Sequence, residues 1–366
     1  MRIGIACFPT FGGSGIIATE LAHLLAKKHE VHLVSYDKPV RAREEDGVSF
    51  HKVELLSYPL FERVPCCYSL ALVSKLVEII RSHNLDVIHA HYAVPNAVSA
   101  YLAKKICNDS AKVVTTLHGT DSYLVGRHPS YKEVTQFSMQ NSDALTTVSE
   151  YLKDRTLAEF DISREIRVIP NFTDPQRFRR LRNDQEQKII CHLSNFRPIK
   201  RIPDIIKAFK MILEEINCKL ALIGDGPELP NAWNMVKNLG ISENVEFLGN
   251  VQNVQKILGN SDLFLLPSED ESFGLAALEA MSCEVPVVAS NIGGLRELVS
   301  HGVDGFLINV GDIEALTKYS LEILRNSRLQ EEMGNNARRK VLEKYTSDRI
   351  LPKYERLYNE TLQKNK

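Results

Sequence analysis

The stretch DLFLLPSEDESFGLAALEAMSCEVPVVAS, residues 262 to 290, decides the fold of this chain. It opens on the apolar run DLFLLPS, continues in a helical pattern from Phe273 onward, and closes on the apolar run VPVVAS. Short apolar runs joined by a helix are typical of parallel strands, because parallel neighbours need a long crossover connection. The stretch therefore predicts a β-α-β unit in a parallel sheet that helices cover on both faces.

The same alternation recurs along the whole chain and falls into two series. The first series of strand-like runs consists of RIGIAC, VHLVSYD, DVIHAHY, KVVTTLH and ALTTVS. The second consists of KIICHLSN, KLALIGDG, VEFLGN, DLFLLPS, VPVVAS and GFLI. Between the two series the pattern breaks around RVIPNFTDPQRF, which contains two prolines.

Each series predicts a doubly wound, Rossmann-like sheet. The fold class is therefore α/β, with two such parallel sheets facing each other across a cleft. We place the N-terminal domain at residues 1–170 and the C-terminal domain at residues 171–345. The tail DRILPKYERLYNETLQ has the pattern of an amphipathic helix, and we expect residues 346–366 to pack back on the first domain.

The bulk composition argues against several classes of partner. The chain of 366 residues is 44% hydrophobic and 25% charged, which is typical of a soluble protein with two domains. Its 45 basic and 46 acidic residues give a formal net charge of −1, so no electrostatic footprint for nucleic acid is present. No signal peptide is evident, and no apolar run approaches the roughly 20 residues of a membrane span. We expect a cytoplasmic protein without nucleic-acid or membrane partners, and a homo-oligomer remains possible.

The seven cysteines show no metal-ligand spacing. Reduced, partly buried thiols are the expected state. Cys66 and Cys67 are adjacent, which leaves a redox pair or a soft-metal site open as alternatives.

Ligands of doubly wound sheets bind outside the carboxyl ends of the strands, so residues that follow strands are the candidates for a site. The first strand leads into FPTFGGSGIIATE, where Gly12, Gly13 and Gly15 let the backbone turn tightly and approach a ligand. The helix that follows presents free N–H groups to an anion. The loop departs from the G-x-G-x-x-G pattern, so a turn without a ligand stays open.

Two glutamates mark the second candidate cradle. Glu271 precedes a predicted helix near Phe273, and Glu279 lies inside it, eight positions later. Helical rise alone separates them by about 12 Å, more than the roughly 5–9.5 Å of a glycosidase acid/base pair. We interpret them as acceptors for ribose or sugar hydroxyls at two ends of one ligand. Stabilisation of the helix dipole is the alternative for the acidic residues before the helix.

Cations follow the first strand of the second series, in SNFRPIKR. Arg197, Lys200 and Arg201 could stabilise charge on a departing phosphate. A solvated basic face is the alternative interpretation.

Together these motifs resemble the nucleotide-sugar signature of the retaining GT-B glycosyltransferases of family 4. The resemblance rests on SEDESFGLAALEAMSCEVPVVASNIGGLRELV and on VIPNFTD, LIGDGPE and FLGNV. PTFGGSGIIATELAHLLA, HAHYAVPNAVSAYLAK, VVTTLHGTDSYLVG and HLSNFRPIKRIPDII are similar to the members that act in bacillithiol biosynthesis. The resemblance implies transfer of N-acetylglucosamine from UDP-N-acetylglucosamine to the hydroxyl of L-malate, without a cofactor.

The resemblance also implies roles for individual residues. Glu279 would bind the ribose hydroxyls of UDP, and His118 would lie near the reacting sugar, so that His118, Lys200 and Glu271 are the implied catalytic residues. The other implied donor contacts are the diphosphate contacts of Gly13, Ser14 and Lys200, the uracil contacts of Asn250 and Val251, and the backbone of Phe273, Gly274 and Leu275. Many relatives carry arginine where this chain has Asn195, and Arg197 could replace that charge.

The resemblance implies retention by front-face attack, in which the leaving diphosphate accepts the proton of the acceptor. The chain has no D-x-D carboxylate cluster, so we expect metal-independent transfer. The predicted acceptor contacts are Ser14, Tyr92, Thr116 and Arg127, each of which could instead be structural or solvated. His89 and His91 share a strand face, but no third zinc ligand is apparent in the sequence.

Three rival functions remain open. Asp37 follows Gly15 by 22 positions at a strand end and could bind a ribose in a nicotinamide-dependent dehydrogenase or epimerase. A non-catalytic module would bind UDP without turnover. A transferase of the same fold could use an inositol phosphate or a lipid as its acceptor.

Overall fold

The computed structural model describes residues 1–42, 47–55, 67–181 and 187–364. The chain divides into two compact units, Met1–Pro170 with Ile350–Lys366, and Asn171–Arg349. The thiol pair predicted from Cys66 and Cys67 lies outside the part of the chain whose side chains are described. The free cysteines that the structure describes are buried.

The first unit is built on a parallel sheet of seven strands. The strands are β1 Arg2–Ala6, β2 Glu30–Ser35, β3 Val48–Lys52, β4 Val87–His91, β5 Lys112–Leu117, β6 Ala144–Thr147 and β7 Ile166–Val168. Their order across the sheet is β3-β2-β1-β4-β5-β6-β7. The helices are α1 Gly13–Ala26, α2 Cys67–His83, α3 Val98–Ile106, α4 Pro129–Asn141 and α5 Glu150–Glu159.

The second unit contains a parallel sheet of six strands. They are β8 Lys188–Leu193, β9 Cys218–Ile223, β10 Val245–Gly249, β11 Leu263–Leu266, β12 Val287–Ser290 and β13 Gly305–Ile308, in the order β10-β9-β8-β11-β12-β13. Its helices are α6 Ile202–Leu213, α7 Leu229–Asn238, α8 Val254–Asn260, α9 Leu275–Ser282, α10 Leu295–Leu298, α11 Ile313–Arg325 and α12 Ser327–Lys344. Buried Ile205, Phe209 and Leu265 belong to one continuous apolar core that joins helices to strands.

Each sheet has a topological switch point, also called its strand reversal here, where the connections to the neighbouring strands run to opposite sides. In the first sheet β1 lies between β2 and β4, and in the second β8 lies between β9 and β11. Loops that leave neighbouring strands in opposite directions open a crevice at their carboxyl ends, which is where doubly wound sheets bind ligands. The loops after β1, β4, β8 and β11 therefore mark the ligand-binding edges of the two units.

The long tail helix α13, Ser347–Gln363, belongs to the first unit from Ile350 onward. It buries Ile350, Tyr354 and Tyr358. The hydroxyl of Tyr358 lies 2.8 Å from Nδ1 of His89 in β4, so the tail completes the interior of the first unit.

The sequence patterns miss two edge strands. In β3 only Val48 and His51 are partly covered and the other positions are exposed, so its sequence lacks an apolar run. Strand β7 has three residues and lies where the prolines break the pattern. The parallel α/β sheets themselves are confirmed, and among the described helices none is long and apolar enough to cross a bilayer.

Candidate active site at the carboxyl ends of the strands

Lys200 and Glu271 form an ion pair at the ligand-binding edge of the second unit. Lys200 ends the short helical turn Pro198–Lys200 after β8, and Glu271 lies between β11 and α9. Their side chains are only 15% and 14% exposed, so the pair is largely shielded from water. Ser268 also donates to Oε1 of Glu271 over 3.2 Å. This contact pair joins the two loops that flank the strand reversal.

Backbone and histidine contacts fix the same two loops. The amide of Glu269 donates to the carbonyl of Ile199 over 2.8 Å. Nδ1 of His192, in β8, donates to the carbonyl of Leu265, in β11, over 2.8 Å, so its Nε2 accepts from the hydroxyl of Ser194 at 2.7 Å. Burial lowers the pKa of His192 to about 4, which keeps this imidazole neutral at neutral pH. No sequence pattern pointed to this role of His192.

The other cations of this segment are placed differently. Arg201 pairs with Asp204 at 2.5 Å and with Glu269 at 2.6 Å, so its charge is engaged by carboxylates. Arg197 and Asn195 are exposed on either side of the buried ring of Phe196. The structure therefore brings Lys200 to the edge of the sheet beside Glu271, while Arg201 serves the local structure.

Helix α9 begins directly after the acidic loop. Gly274 takes a positive φ of 93° and precedes Leu275, the first residue of the helix. Phe273 is buried against the ring of Tyr345, with ring centroids 5.7 Å apart, and this contact anchors the start of the helix. The first amides of a helix have no partner within it, and their partial charges favour an anion.

Glu279 lies inside α9 and is only 2% exposed. Glu271 precedes the helix and is held by Lys200, so the two carboxylates have different surroundings.

At the carboxyl end of β9, the backbone of Gly224 packs tightly against the loop that follows β8. A Cβ atom on Gly224 would lie 1.8 Å from the carbonyl oxygen of Ser194, and the φ of Gly224 is +118°. The amide of Gly224 donates to the carbonyl of Gly249 over 2.8 Å. Asn250, exposed, and Val251, half-buried, follow directly at the end of β10. The predicted uracil contacts thus lie at the carboxyl edge of the same sheet.

In the first unit, the glycine loop after β1 leads into α1 at Gly13. A Cβ on Gly15 would lie 2.5 Å from the carbonyl oxygen of Phe8, so the loop packs too closely for a larger residue. The hydroxyl of Ser14 lies 2.6 Å from that of Tyr92, the residue after β4. Ser14 and Tyr92, both predicted to bind the acceptor, therefore touch each other although they follow different strands.

His118 follows β5 and lies beside Tyr92, with ring centroids 5.3 Å apart. Its Nε2 is 2.9 Å from Nδ1 of the fully buried His91. Burial lowers the pKa of His118 to about 3, so the imidazole is neutral at neutral pH. Nε2 of His91 has no hydrogen-bond partner among the described residues. Within that part of the chain, His91 thus orients His118 without a competing hydrogen bond of its own.

Thr116 is not placed as an acceptor contact. It is fully buried, and its hydroxyl lies 2.7 Å from Nε2 of His89 and 2.6 Å from that of Thr146. Both nitrogens of His89 are engaged, one by Thr116 and one by Tyr358. Thr116 and His89 therefore hold the sheet interior, and this arrangement gives no support to a zinc site at His89. Arg127 is exposed before α4.

Asp121 is a residue of this site that the sequence reasoning missed. Its carboxylate accepts from the amides of Ala93 at 2.9 Å, His118 at 3.1 Å and Gly119 at 2.9 Å. Burial raises the pKa of Asp121 to about 6, and the backbone hydrogen bonds oppose that shift. Asp121 joins the loop after β5 to the loop after β4 and so fixes His118 in position.

Comparisons with known proteins follow this division of the chain. Residues 11–177 match the family described as "Glycosyltransferase Family 4", and residues 174–340 match "Glycosyl transferases group 1". The chain is 40% identical to "N-acetyl-alpha-D-glucosaminyl L-malate synthase" from Bacillus anthracis, over 100% of this chain and 98% of the relative.

Solved structures share the fold. Alr3699/HepE from Anabaena in complex with UDP-glucose has a TM-score of 0.83 at 21% identity, over 99% of both chains. A glycosyltransferase from Rickettsia africae ESF-5 has a TM-score of 0.81 at 23% identity, also over 99% of both chains. At these identities the likeness shows the fold alone. Together with the full-length relative, the matches show that this chain is a glycosyltransferase and belongs to family 4 of the GT-B fold.

Proposed function

We propose that this enzyme transfers N-acetylglucosamine from UDP-N-acetylglucosamine to the hydroxyl of L-malate, with retention of the α configuration. The observation that carries the donor half is the shielded ion pair of Lys200 and Glu271 beside the first turn of α9. The choice of sugar and acceptor rests on the 40% identical relative and its name.

The donor half of the site supplies positive charge where a diphosphate would lie. Lys200 and the first amides of α9 would bind the diphosphate. Many relatives carry an arginine at the position of Asn195, and here Arg197 would supply that positive charge. When the diphosphate takes the ammonium of Lys200, Glu271 becomes available for the sugar hydroxyls. Glu279 would accept the ribose hydroxyls, and Asn250 and Val251 would contact the uracil.

The first unit would present the acceptor. Ser14 and Tyr92 offer hydroxyl groups, and Arg127 offers a charge for a carboxylate of malate. His118 is neutral and uses Nε2 toward His91, so its Nδ1 could bond a hydroxyl of the sugar.

In the proposed front-face reaction, the bond between the anomeric carbon and the β-phosphate oxygen breaks first. The malate hydroxyl attacks the anomeric carbon on the same face, and its proton passes to the departing phosphate oxygen. UDP leaves with that proton. Lys200, Arg197 and the α9 amides would stabilise the growing negative charge, so we expect activity without an added metal.

Mass spectrometry of the products tests this function. Purified full-length protein is incubated with UDP-N-acetylglucosamine or UDP-glucose, and with L-malate, D-malate, succinate or an inositol phosphate. Succinate is the matched control, since it keeps both carboxylates and lacks the hydroxyl. We expect a glycoside of L-malate only from the N-acetylglucosamine donor. Product with the inositol phosphate and none with L-malate would assign another acceptor.

A further inference from the structure

Three histidines meet at an edge of the first unit, away from the loops of the candidate active site. His32 lies in β2, His51 in the edge strand β3, and His83 is the last residue of α2. Glu30 lies two positions before His32, so the two side chains leave β2 on one face. These four residues are called the histidine cluster below.

The cluster has the spacing of a ligand set. One nitrogen from each imidazole lies within 4.8 Å of the other two. Nδ1 of His32 is 2.9 Å from Nε2 of His51, and the ring centroids of His32 and His83 are 4.1 Å apart. Oε1 of Glu30 lies 3.0 Å from Nε2 of His32 and 3.7 Å from Nδ1 of His83.

The hydrogen bonds define where the protons lie. Nε2 of His32 donates to Glu30, so Nδ1 of a neutral His32 accepts from Nε2 of His51. An imidazole binds a metal in its neutral form, through the nitrogen that carries no proton. A bound ion would replace the proton that His32 and His51 share.

We propose that the histidine cluster binds a divalent transition-metal ion of the zinc class. Imidazole nitrogen suits zinc, copper and nickel, whereas magnesium and calcium prefer oxygen ligands. Tetrahedral zinc with ordinary Zn–N bonds sets its nitrogens about 3.3 Å apart, so His32 and His51 need to separate only slightly. Glu30 would keep accepting from His32, in the carboxylate–histidine–metal arrangement that is usual for such ligands.

The surrounding charges permit a cation. His83 lies at the C-terminus of α2, where the helix dipole favours positive charge. Lys75 is a cation whose charge reaches His51, but its ammonium is paired with the carboxylate of Glu78 at 2.7 Å. The ion would connect β2, β3 and the end of α2, three elements that the chain joins only through long connections.

Equilibrium dialysis with Zn²⁺ in excess Mg²⁺, followed by elemental analysis and chelator competition, tests the proposal. The proteins compared are the full-length chain, His51→Ala, His83→Ala and the control His301→Ala. His301 is exposed in the second unit, so the control removes one imidazole but leaves the cluster intact. Circular dichroism checks that each variant is folded.

The full-length chain and His301→Ala are expected to bind one Zn²⁺ tightly, and each cluster variant to bind it about tenfold more weakly or worse. Cu²⁺ bound to the full-length chain should show nitrogen coupling in its electron paramagnetic resonance spectrum, reduced in His83→Ala. Equal affinity in all four proteins, or no stoichiometric binding by the full-length chain, overturns the proposal. If His51→Ala does not fold, His83→Ala decides alone, because His83 is partly exposed at a helix end.

Discussion

Glu279 is a carboxylate with little access to water, inside α9. An ionised group in such a place is costly unless polar partners compensate for the lost water. Replacing it by glutamine keeps the shape and removes the charge that would hold two ribose hydroxyls. We expect Glu279→Gln to weaken UDP binding by roughly 10- to 100-fold, since a hydrogen bond to a charged group contributes about 1.5–3 kcal/mol.

Isothermal titration calorimetry with UDP measures this effect. The matched control is Glu322→Gln, which changes an exposed glutamate on α11 of the same unit. If both variants bind UDP as the unchanged chain does, Glu279 does not contact the nucleotide.

Lys200 is expected to matter more for turnover than for binding, because charge on the diphosphate grows as the glycosidic bond breaks. Lys200→Met keeps the aliphatic stem and removes the ammonium. We expect kcat to fall by roughly 100-fold and the Kd for the donor UDP-N-acetylglucosamine to change much less. Lys207→Met, exposed on α6, is the control. Steady-state kinetics with a coupled assay for UDP release measures both variants. Equal kcat values for Lys200→Met and Lys207→Met would contradict this role of Lys200.

At the scale of elements, the loop after β8 depends on the close approach of Gly224. Its φ of +118° and the 1.8 Å separation between a Cβ and the carbonyl oxygen of Ser194 leave no room for a side chain. Gly224→Ala should displace the loop that carries Lys200. We expect weaker UDP binding and a loss of unfolding free energy of at least about 2 kcal/mol.

Gly240→Ala provides the matched control for this prediction. Gly240 also has a positive φ, +67°, but a Cβ there would meet nothing within 4 Å. Its cost should be limited to the backbone strain, about 1 kcal/mol. Urea denaturation of the two variants compares them, and equal losses would show that the packing of Gly224 is unimportant.

The elements differ in how far sequence alone could predict them. Runs such as LFLL in β11 and VVAS in β12 are apolar because both faces of the sheet are covered, so their strands were evident. Strand β3 is partly exposed and carries no such run. An edge strand of this kind becomes visible only once its neighbour β2 is placed beside it.

The residue contacts of the site were less accessible to sequence reasoning. Motifs placed Lys200 and Glu271 after strands, but not their ion pair, since they lie 71 positions apart and only the strand order brings them together. Asp121 went unnoticed because its partners are backbone amides, which no sequence pattern records. The sequence places Thr116 at a strand end, which predicts an acceptor contact. Position alone does not show that its hydroxyl bonds His89 inside the sheet.

At the scale of the whole molecule, buried histidines predict lower stability in acid. Burial lowers the pKa of His89 and of His118 to about 3, and that of His192 to about 4. Below the unfolded pKa of about 6.5, the unfolded chain binds protons that the folded chain does not, so the free energy of unfolding falls as the pH falls. Asp121, with its pKa raised to about 6, acts in the opposite direction but is a single group.

We therefore expect the free energy of unfolding to be lower at pH 5 than at pH 7.5 by more than about 1 kcal/mol. Urea denaturation followed by circular dichroism at the two pH values measures it. Because these histidines lie in both units, both should lose stability. Equal or greater stability at pH 5 would mean that the histidines are protonated in the folded protein.

The central claim is that the carboxyl edge of the second sheet binds the diphosphate of a UDP-sugar. A crystal structure of the enzyme soaked with UDP-N-acetylglucosamine tests it most directly. The account predicts diphosphate oxygens within hydrogen-bonding distance of Nζ of Lys200 and of the first amides of α9, with the ribose hydroxyls on Glu279. A nucleotide bound away from Lys200 and Glu279 would contradict the account.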